Sequence, residues 1–500
     1  MNNSIYFLKK FIPVFLIFFL FSCTRHLDVE SISTISNASF WKTENDVDGG
    51  LNGMYVQFRN VSSESIPILG DLRSELMTIG VTGSGAMDLY YLHTMNPSNV
   101  AYSWQAYYTV INSANLIIKY VPGISFIQEA NKNRALAQEY AMRAFMYFVM
   151  TRTWGDLIIH TEPIESTSPD VLYKERSSQA DVFRLIKEDI DQAIQLFPDD
   201  NFQTGRCHWS RPATQALKAD VYLWTGKKMN GGNVDFTTAL QALQEVQKAD
   251  VSLLPEFGDI FPYANKGNKE IIMACRFQEI EVTSNNYYWR TWIIANSVPP
   301  DIDSETSAIL FPIGGGQGIT VPSATFRNQF ELDDTRRNAT FHELFTTNQE
   351  GERVFYQAIC LKGSGLVKDG NRQFFNDIIF YRYADILLMI AEAKNALGQD
   401  PSAEINLVRE RAYRDNFNNH VYTNDTPEKN DEAILKERLL ELSMEGGKRW
   451  WDLIRFDKVF DLVPALMDKK GQNHYLLWPI ASSILSLEPN VKQNPGWEQQ

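Results

Sequence analysis

Cysteine is scarce in this sequence, and its spacing excludes a disulfide framework. The four cysteines are Cys23, Cys207, Cys275 and Cys360. Cys23 lies at the end of an N-terminal targeting segment, which leaves three widely separated thiols. Three such thiols do not make a set of paired bridges. We expect them to be small, buried apolar residues.

Histidine and positive charge are also scarce, and this excludes two further classes of function. The seven histidines are scattered and form no H-x-x-H or H-E-x-x-H pair, so the sequence predicts no zinc site. Lys and Arg total 47 against 61 Asp and Glu, a formal net charge of −14. An acidic chain lacks the positive surface that nucleic-acid binding requires, so no nucleic-acid partner is expected.

The apolar run near the N-terminus is too short to cross a membrane. Residues 11–21 (FIPVFLIFFLF) follow Lys9 and Lys10. As a helix they would span about 16 Å, against about 30 Å for the hydrocarbon core of a bilayer. The pattern therefore predicts a signal peptide over residues 1–22.

The signal peptide ends in a sequence that is similar to the lipobox of bacterial lipoproteins. Leu20-Phe21-Ser22 precedes Cys23, which would carry the lipid as the first residue of the mature chain. An ordinary secretory signal with an incidental cysteine is the alternative. Residues 23–39 are polar and rich in Ser, and we expect them to tether the lipid to the folded body.

The sequence contains no recognisable catalytic motif. The run GGGQG at residues 314–318 lacks the GK[ST] ending of a phosphate loop, and no G-x-S-x-G elbow is present. Asp333-Asp334 could be an acid pair of the glycosidase type or an ion-pairing cap before Arg336 and Arg337. The second interpretation is favoured, because carboxylate pairs are common in an acidic chain. No enzymatic activity is predicted.

Aromatic residues are abundant, with 11 Trp, 21 Tyr and 30 Phe. Two clusters fall in stretches that lack helical periodicity. Flat rings can stack on the C–H faces of sugars while neighbouring polar groups fix the hydroxyls. Packing in the core is the alternative. The candidate ligand-binding residues are Tyr90, Tyr91 and His93 in the first cluster, and Tyr287, Tyr288, Trp289, Arg290 and Trp292 in the second.

Apolar residues at a 3.6-residue period predict helices over much of the chain. A helical pattern opens at Phe40-Trp41, with Thr43 as N-cap. Residues 77–100 and 251–379 lack the pattern and are predicted to be loops with short strands. The other predicted helices are 104–121, 133–155, 179–197, 211–226, 236–249, 381–398, 402–413 and 427–445.

Two of these segments have small residues on one face and are followed by a second helix. They are 211–226, followed by a helix around Ala239, and 381–398, followed by 402–413. Both resemble the helix pairs of tetratricopeptide repeats. The predicted fold is therefore mainly α, with tetratricopeptide-like helix pairs, long loops and a few short strands. Regions 40–250 and 251–500 are expected to form one integrated fold.

Near the C-terminus the chain reads ERLLELSMEGGKRWWDLIR, which resembles a motif of the SusD/RagB family of outer-membrane nutrient-binding lipoproteins. Further resemblance covers residues 40–55, 104–115, 141–159, 382–398 and 476–497. The residues that match the motif are Glu437, Arg438, Glu441, Leu442, Glu445, Gly446, Arg449, Trp450, Asp452, Leu453 and Arg455. Within the motif, Glu445 is expected to pair with Arg449 or Lys448, and Asp452 with Arg449 or Arg455. Trp450 and Trp451 are expected to pack in the scaffold.

The resemblance implies a non-enzymatic protein on the outer face of the outer membrane. It implies four tetratricopeptide-like helix pairs and a SusC-like TonB-dependent transporter as partner. The ligands would be oligosaccharides, and peptides are the alternative. Glycoside hydrolysis is a third, less favoured function. Asp71 and Arg73 follow the first helix, at positions that match the family's ligand site, so the resemblance adds them to the candidate ligand residues. Some members hold a structural calcium, but no loop for it is identified here and no cofactor is expected.

Overall fold

The computed structural model describes residues 40–282, 284–294, 298–310 and 315–498. The predicted signal peptide and tether, with Cys23, lie outside the described residues. The helices of eight or more residues in the described ranges are α1 Glu44–Glu64, α2 Gln105–Tyr120, α3 Glu129–Trp154, α4 Gln179–Leu196, α5 Arg211–Lys228, α6 Gly232–Val246, α7 Tyr383–Ala396, α8 Ser402–Tyr413, α9 Pro427–Leu442 and α10 Lys448–Arg455.

Local signals set most of the helix ends. Thr43 caps α1 as predicted, because its Oγ1 accepts from the backbone N–H of Asp46 at 3.3 Å while the Asp46 carboxylate accepts from the N–H of Thr43 at 2.7 Å. Gly155 ends α3 with φ 78°. Gly226, the last residue of the predicted helix 211–226, lies inside α5. A Cβ there would come within 2.4 Å of the Phe236 ring on α6, so this glycine allows the two helices to approach closely.

The long helices form four successive pairs, α1–α2, α3–α4, α5–α6 and α7–α8, and the helices of each pair pack against each other. Neighbouring pairs also touch, through α2–α3, α4–α5 and α6–α7, while α9 packs on α7. This is the mainly α, tetratricopeptide-like architecture that the sequence predicts. One hydrophobic core draws residues from both halves of the chain, from Met54 to Trp497.

The loop-rich stretches contain short antiparallel strands. The strands are β1 Met77–Ile79, β2 Ile271–Cys275, β3 Thr320–Pro322, β4 Phe341–Thr347, β5 Arg353–Cys360, β6 Leu366–Lys368, β7 Asn371–Gln373 and β8 Ile378–Arg382. They pair two by two, β1 with β3, β2 with β8, β4 with β5 and β6 with β7. The first pair joins the two loop-rich stretches, because Met77 lies opposite Pro322. The short α-helices are Ile66–Leu69, Asp88–Tyr91, Pro169–Leu172, Asn286–Trp289, Ser304–Leu310, Ala324–Arg327, Arg336–Thr340, Val459–Leu462 and Ser482–Leu487.

The Gly-Gly pair of the C-terminal motif reverses the chain between α9 and α10. Gly446 and Gly447 have φ of 59° and 74°, values that favour glycine. The backbone of Gly447 lies against Gly70, and a Cβ on Gly70 would come within 1.9 Å of the Gly447 carbonyl oxygen. Just beyond the turn, Arg449 Nε lies 2.9 Å from Glu75 Oε1. The motif therefore fastens the segment after α1 to α10.

The ion pairs of this motif differ in part from the sequence prediction. Glu445 pairs with Lys362 at 2.5 Å and with Arg382 at 2.7 Å, so its predicted pairing with Arg449 or Lys448 is wrong. Those partners lie outside the motif, and no local pattern indicates them. The predicted pair between Asp452 and Arg455 is present at 3.0 Å.

The remaining side chains of the motif are structural. Trp450 and Trp451 are buried, as expected. Lys448 pairs with Asp385, and Asp452 also pairs with Arg438 at 2.8 Å. The stretch is therefore part of the scaffold.

We expect Gly70→Ala to destabilise the protein by about 1–3 kcal/mol, because the added methyl group meets backbone atoms that cannot move aside. Gly53→Ala is the matched control. Gly53 lies inside α1 with no atom within 4 Å of an added Cβ, so alanine there should be neutral or stabilising by up to about 1 kcal/mol. Urea denaturation of both variants checks the prediction. Equal midpoints would show that the Gly70–Gly447 contact does not constrain the fold.

Candidate functional site

The structure buries seven of the ten candidate ligand residues. Their exposed fractions run from 0 to 5%, so the expected surface position is wrong for them, and the alternative of core packing applies. These seven are Asp71, Arg73, Tyr90, His93, Tyr287, Tyr288 and Trp292. Tyr91, Trp289 and Arg290 are only partly buried, and they remain candidates for ligand contact.

The buried polar candidates bond to one another and to the motif helix. The Tyr287 hydroxyl donates to Asp71 at 2.6 Å. Arg73 lies 3.9 Å over the Trp450 ring and donates to the Tyr475 carbonyl at 2.6 Å. His93 Nε2 lies 2.8 Å from the Arg73 carbonyl oxygen. These contacts hold the groups inside the fold and leave none of them on a surface, although Arg73 Nε and Nη1 and His93 Nδ1 make no hydrogen bond among the described residues.

The buried aromatic candidates are likewise held by protein neighbours. The Trp292 indole N–H donates to the Cys360 carbonyl at 2.7 Å. Tyr90 stacks on Trp478 with ring centroids 5.1 Å apart. Tyr288 packs against Gly363, where an added Cβ would come within 1.9 Å of the ring. Since these faces already have partners, they are not available to a ligand.

Two of the partly buried candidates, Trp289 and Arg290, belong to a surface where the loops meet the end of α1. We call it the loop surface and define it by Glu64, Tyr102, Asn286, Trp289 and Arg290. Arg290 Nη2 lies 2.7 Å from Glu64 Oε2, and the Asn286 amide donates to the other oxygen of the same carboxylate. Glu64 therefore joins the last turn of α1 to the short helix Asn286–Trp289.

Hydrogen bonds from a second loop fix this short helix. The Trp289 indole N–H donates to the Gly315 carbonyl. The backbone N–H of Gln317 donates to the Trp289 carbonyl at 2.9 Å, and that of Ile319 to the Arg290 carbonyl at 3.1 Å. The indole and the guanidinium are thus held in place before any ligand arrives, which lowers the entropic cost of binding.

The electrostatics of the loop surface suit an uncharged, hydroxyl-bearing ligand. Burial raises the pKa of Tyr102, and the nearby Arg290 guanidinium lowers it in part. Burial also raises the pKa of Tyr90, which lies beneath it, to about 12. These phenols are therefore neutral at neutral pH. The surface combines two partly exposed aromatic rings with an amide, a carboxylate and a guanidinium, a set that can stack on a sugar ring and bond its hydroxyls.

Tyr91 lies on the short helix Asp88–Tyr91 and packs partly against the core. Burial raises the pKa of its phenol, with a further contribution from Asp88. It sits beside Tyr90 in the chain, which is close enough to Arg290 for the guanidinium to lower the pKa of Tyr90. Tyr91 is therefore a peripheral candidate.

One group of potential metal ligands occurs among the described residues, namely Glu331, Asp333 and His420, whose ligand atoms lie within 4.8 Å of one another. Asp333 faces His420 Nε2 at 2.9 Å, whereas Glu331 faces Nδ1 at 3.6 Å. A metal ion is bound by one ring nitrogen, so carboxylates on different nitrogens favour hydrogen bonding. Asp334 instead pairs with Arg336 at 2.7 Å, which agrees with the ion-pair interpretation of Asp333-Asp334.

Cys207, Cys275 and Cys360 are buried and free, as expected. Burial raises the pKa of the Cys275 thiol to about 12 and that of Cys360 to about 11. Thiols of this kind are not nucleophilic at neutral pH.

Glu64 and Tyr102 are members of the loop surface that sequence reasoning missed. Glu64 lies 226 residues from its partner Arg290, and Tyr102 stands in an unremarkable stretch before α2. A single sequence contains no signal that brings such positions together.

Comparison with known proteins gives the family. A family model described as "SusD family" matches residues 335–472, and another, "Starch-binding associating with outer membrane", matches residues 26–223. The solved structure of NanU from B. fragilis is 34% identical, covering 94% of this chain and 100% of that chain, with a TM-score of 0.82. The chain belongs to the SusD family.

Other SusD proteins show the same likeness over nearly the whole chain. A SusD superfamily structure from Bacteroides vulgatus is 31% identical, with coverage of 92% and 100% and a TM-score of 0.80. SusD-like protein P38 from Formosa agariphila is 28% identical, with 95% of each chain covered. In the described part of the SusD-family chain, no helix has the length and apolarity to traverse a bilayer.

Proposed function

We propose that this SusD-family protein is a non-enzymatic, lipid-anchored protein on the outer face of the outer membrane. It binds oligosaccharides at the loop surface and delivers them to a SusC-like TonB-dependent transporter. The observation that carries the binding role is the convergence of Trp289, Tyr102, Arg290 and Glu64 on one preorganised surface. The outer-membrane part is supported by the description of the family model that matches residues 26–223.

Trp289→Ala and Trp292→Ala form a matched pair that tests the binding site. Trp289 is partly exposed on the loop surface, so its loss should weaken oligosaccharide binding by about 1–3 kcal/mol, by analogy with ring stacking on bases, with little change in stability. Trp292 is 2% exposed, so its loss should cost about 3–5 kcal/mol of stability. Calorimetric titration and thermal unfolding of both variants separate the two effects.

The titrations should use a panel of plant, host and microbial glycans with a mixed-peptide control. Laminari-oligosaccharides belong in the panel, because one protein of the same fold is named a laminarin-binding SusD-like protein. Unchanged glycan affinity in Trp289→Ala would show that the glycan does not bind at the loop surface. Binding of peptides but of no glycan would show that the ligands are peptides and not oligosaccharides. Hydrolysis of labelled oligosaccharides by the purified protein would refute the non-enzymatic role.

Cys23→Ala tests the lipid anchor. If Cys23 carries the lipid, the variant should leave the membrane fraction, because no other anchor is proposed. Cys207→Ala, which removes a buried thiol, is the control and should stay membrane-bound. Fractionation followed by immunoblotting measures both. A Cys23→Ala protein that still sediments with membranes would mean that lipidation at this residue is not what holds the protein there.

A further inference from the structure

A groove outside the loop surface runs along α1. It consists of two adjoining clefts of about 480 and 470 Å³ that share Asn52 and His208 in their walls. The α1 residues that line it extend from Glu44 to Arg59, a length of about 22 Å of helix. We call it the α1 groove. Its length exceeds that of a single sugar ring or amino acid.

The floor of the α1 groove is fixed by a chain of hydrogen bonds. The backbone N–H of Trp209 donates to the Tyr55 hydroxyl at 3.0 Å, and this hydroxyl donates to Gln138 Oε1 at 2.8 Å. The Tyr55 ring also meets His208 edge-on, with centroids 4.7 Å apart. The groove is therefore preformed, and a ligand need not order it.

Several polar groups in the α1 groove lack partners among the described residues. Nδ1 of His208 is buried and makes no hydrogen bond within the structure. The side-chain amides of Asn52 and Gln203 line the groove, and neither bonds to another described residue. Amides both donate and accept, so the two accessible side chains match hydroxyl groups, which do the same.

The charged side chains that line the groove balance one another and give no net attraction to an anionic ligand. At one end Arg59 and Arg276 both pair with Glu281, at 2.7 and 2.5 Å. At the other end lie Glu44, Asp48 and Arg134, and Arg134 pairs with Asp199 at 2.8 Å. Among the described residues, neither Glu44 nor Asp48 forms a salt bridge. Negative charge at this end repels anions and accepts hydrogen bonds from neutral hydroxyls.

The groove lacks the usual devices for binding peptides. Peptides are often recognised by adding a strand to a free sheet edge, or as an amphipathic helix in an apolar groove. Here the neighbouring strand β2 is fully buried and pairs with β8, and polar side chains line most of the walls. A hydroxyl-rich chain fits these walls better than a peptide backbone.

We propose that the α1 groove is a second binding site, for an uncharged oligosaccharide, distinct from the loop surface. It shares with the proposed function only the class of ligand. The unpartnered amides of Asn52 and Gln203 would bond the hydroxyls, and Tyr55 would supply an apolar edge. The site is open to solvent along α1, so it can accept an internal stretch of a longer chain.

Hydrogen–deuterium exchange of the full chain locates binding by segment and so tests both sites at once. The probes are maltoheptaose and laminariheptaose, with oligogalacturonate as the acidic counterpart and tryptic casein peptides as the peptide counterpart. At least one neutral probe should slow exchange in residues 44–59 and 203–208. The protection should survive Trp289→Ala. The double variant Asn52→Ala/Gln203→Ala loses two hydrogen bonds to the ligand. Its apparent affinity for the probe, measured from the protection of these segments, should therefore fall about tenfold.

Each outcome decides between the two sites. Protection confined to the loop surface would refute the groove and leave the proposed function intact. Protection of the groove alone would support the groove and refute the loop-surface site, and protection of neither would refute both. Equal protection by oligogalacturonate would overturn the assignment to uncharged ligands, and protection by peptides alone would overturn the assignment to sugars. Asn52 is solvent-exposed and Gln203 partly so, so the double variant should fold.

Discussion

Replacing Arg382 by Met should lower the free energy of unfolding by about 3–5 kcal/mol. The side chain is 1% exposed, and its guanidinium holds three buried carboxylates. It lies 2.8 Å from Glu270, 2.6 Å from Glu441 and 2.7 Å from Glu445. Without it, negative charges remain in the interior with too few cations to offset the loss of hydration.

The remaining cations of this network replace Arg382 only in part. Lys362 Nζ pairs with Glu445 at 2.5 Å and donates to the backbone carbonyl of Glu441 at 2.8 Å, while Arg336 pairs with Glu441 at 3.1 Å. Arg411 pairs with Glu270 at 2.7 Å and also with Glu441. None of these cations contacts all three carboxylates as Arg382 does, so its removal leaves one cation fewer in the network. The pKa of Glu441 is lowered despite its burial, because several guanidinium groups surround it. Its carboxylate therefore stays ionised when one of them is removed.

Two variants separate this explanation from a general effect of losing an arginine. Arg382→Lys keeps the charge but not the forked geometry, so an intermediate loss is expected. Arg184→Met breaks an exposed pair with Glu188, whose side chains are 63% and 59% exposed, and should leave stability nearly unchanged. Chemical denaturation of the three variants gives the comparison. If Arg382→Met cost no more than Arg184→Met, the buried network would not hold this part of the fold.

The helical scaffold could be predicted from the sequence because its signals are local. Apolar spacing and the cap at Thr43 act within one or two turns, and the structure reproduces these features. The predicted helix 211–226 ends two residues later, at Lys228, since Gly226 serves helix packing and does not stop the helix. This error in the helix end is small, because the periodicity of the apolar residues still predicts where the helix lies.

The site could not be predicted in the same way, because its contacts are distant in sequence. A cluster such as residues 287–292 has the same composition whether it lines a surface or a core. Trp292 is buried through a bond to Cys360, 68 residues away, whereas Trp289, three positions earlier, reaches the loop surface. Likewise, the partners of Glu445 lie 63 and 83 residues away. No periodicity in one sequence encodes these pairings.

Replacing Asp71 by Asn should make stability less dependent on pH, and the expected difference is large. Burial raises the pKa of Asp71 from 3.8 to about 7, although hydrogen bonds from Tyr287 and the Arg449 backbone favour the charged form. In the unfolded chain the carboxyl returns to its ordinary pKa. Between these two pKa values, the unfolded chain releases a proton that the folded protein retains.

The sign of the effect follows from these two pKa values. The contribution of a carboxyl group whose folded pKa is raised is fully present below about pH 4 and is lost as the pH rises to about 7. The amide of the Asp71→Asn variant cannot ionise, so this variant should gain stability relative to the unsubstituted protein over this range. The gain should reach on the order of 4 kcal/mol above about pH 7, at about 1.4 kcal/mol for each pKa unit. Urea denaturation at several pH values measures it.

Two comparisons isolate the effect of Asp71. Burial also raises the pKa of Glu139, and both of its carboxylate oxygens lack partners among the described residues. Glu139 is present in both proteins, so its titration cancels in the difference. Asp415→Asn removes the same charge at an exposed position and controls for the change in net charge.

The same variant distinguishes burial from ligand contact at Asp71. The side chain is 0% exposed and bonds to Tyr287, so Asp71→Asn should leave oligosaccharide affinity unchanged under conditions where both proteins are folded. The sequence resemblance instead places Asp71 at the ligand. Lost affinity with a stability difference that stays flat across pH would favour the resemblance and contradict the buried position. A pH-dependent stability difference with intact affinity would assign Asp71 to the join between the loops and α10, beneath the binding surface.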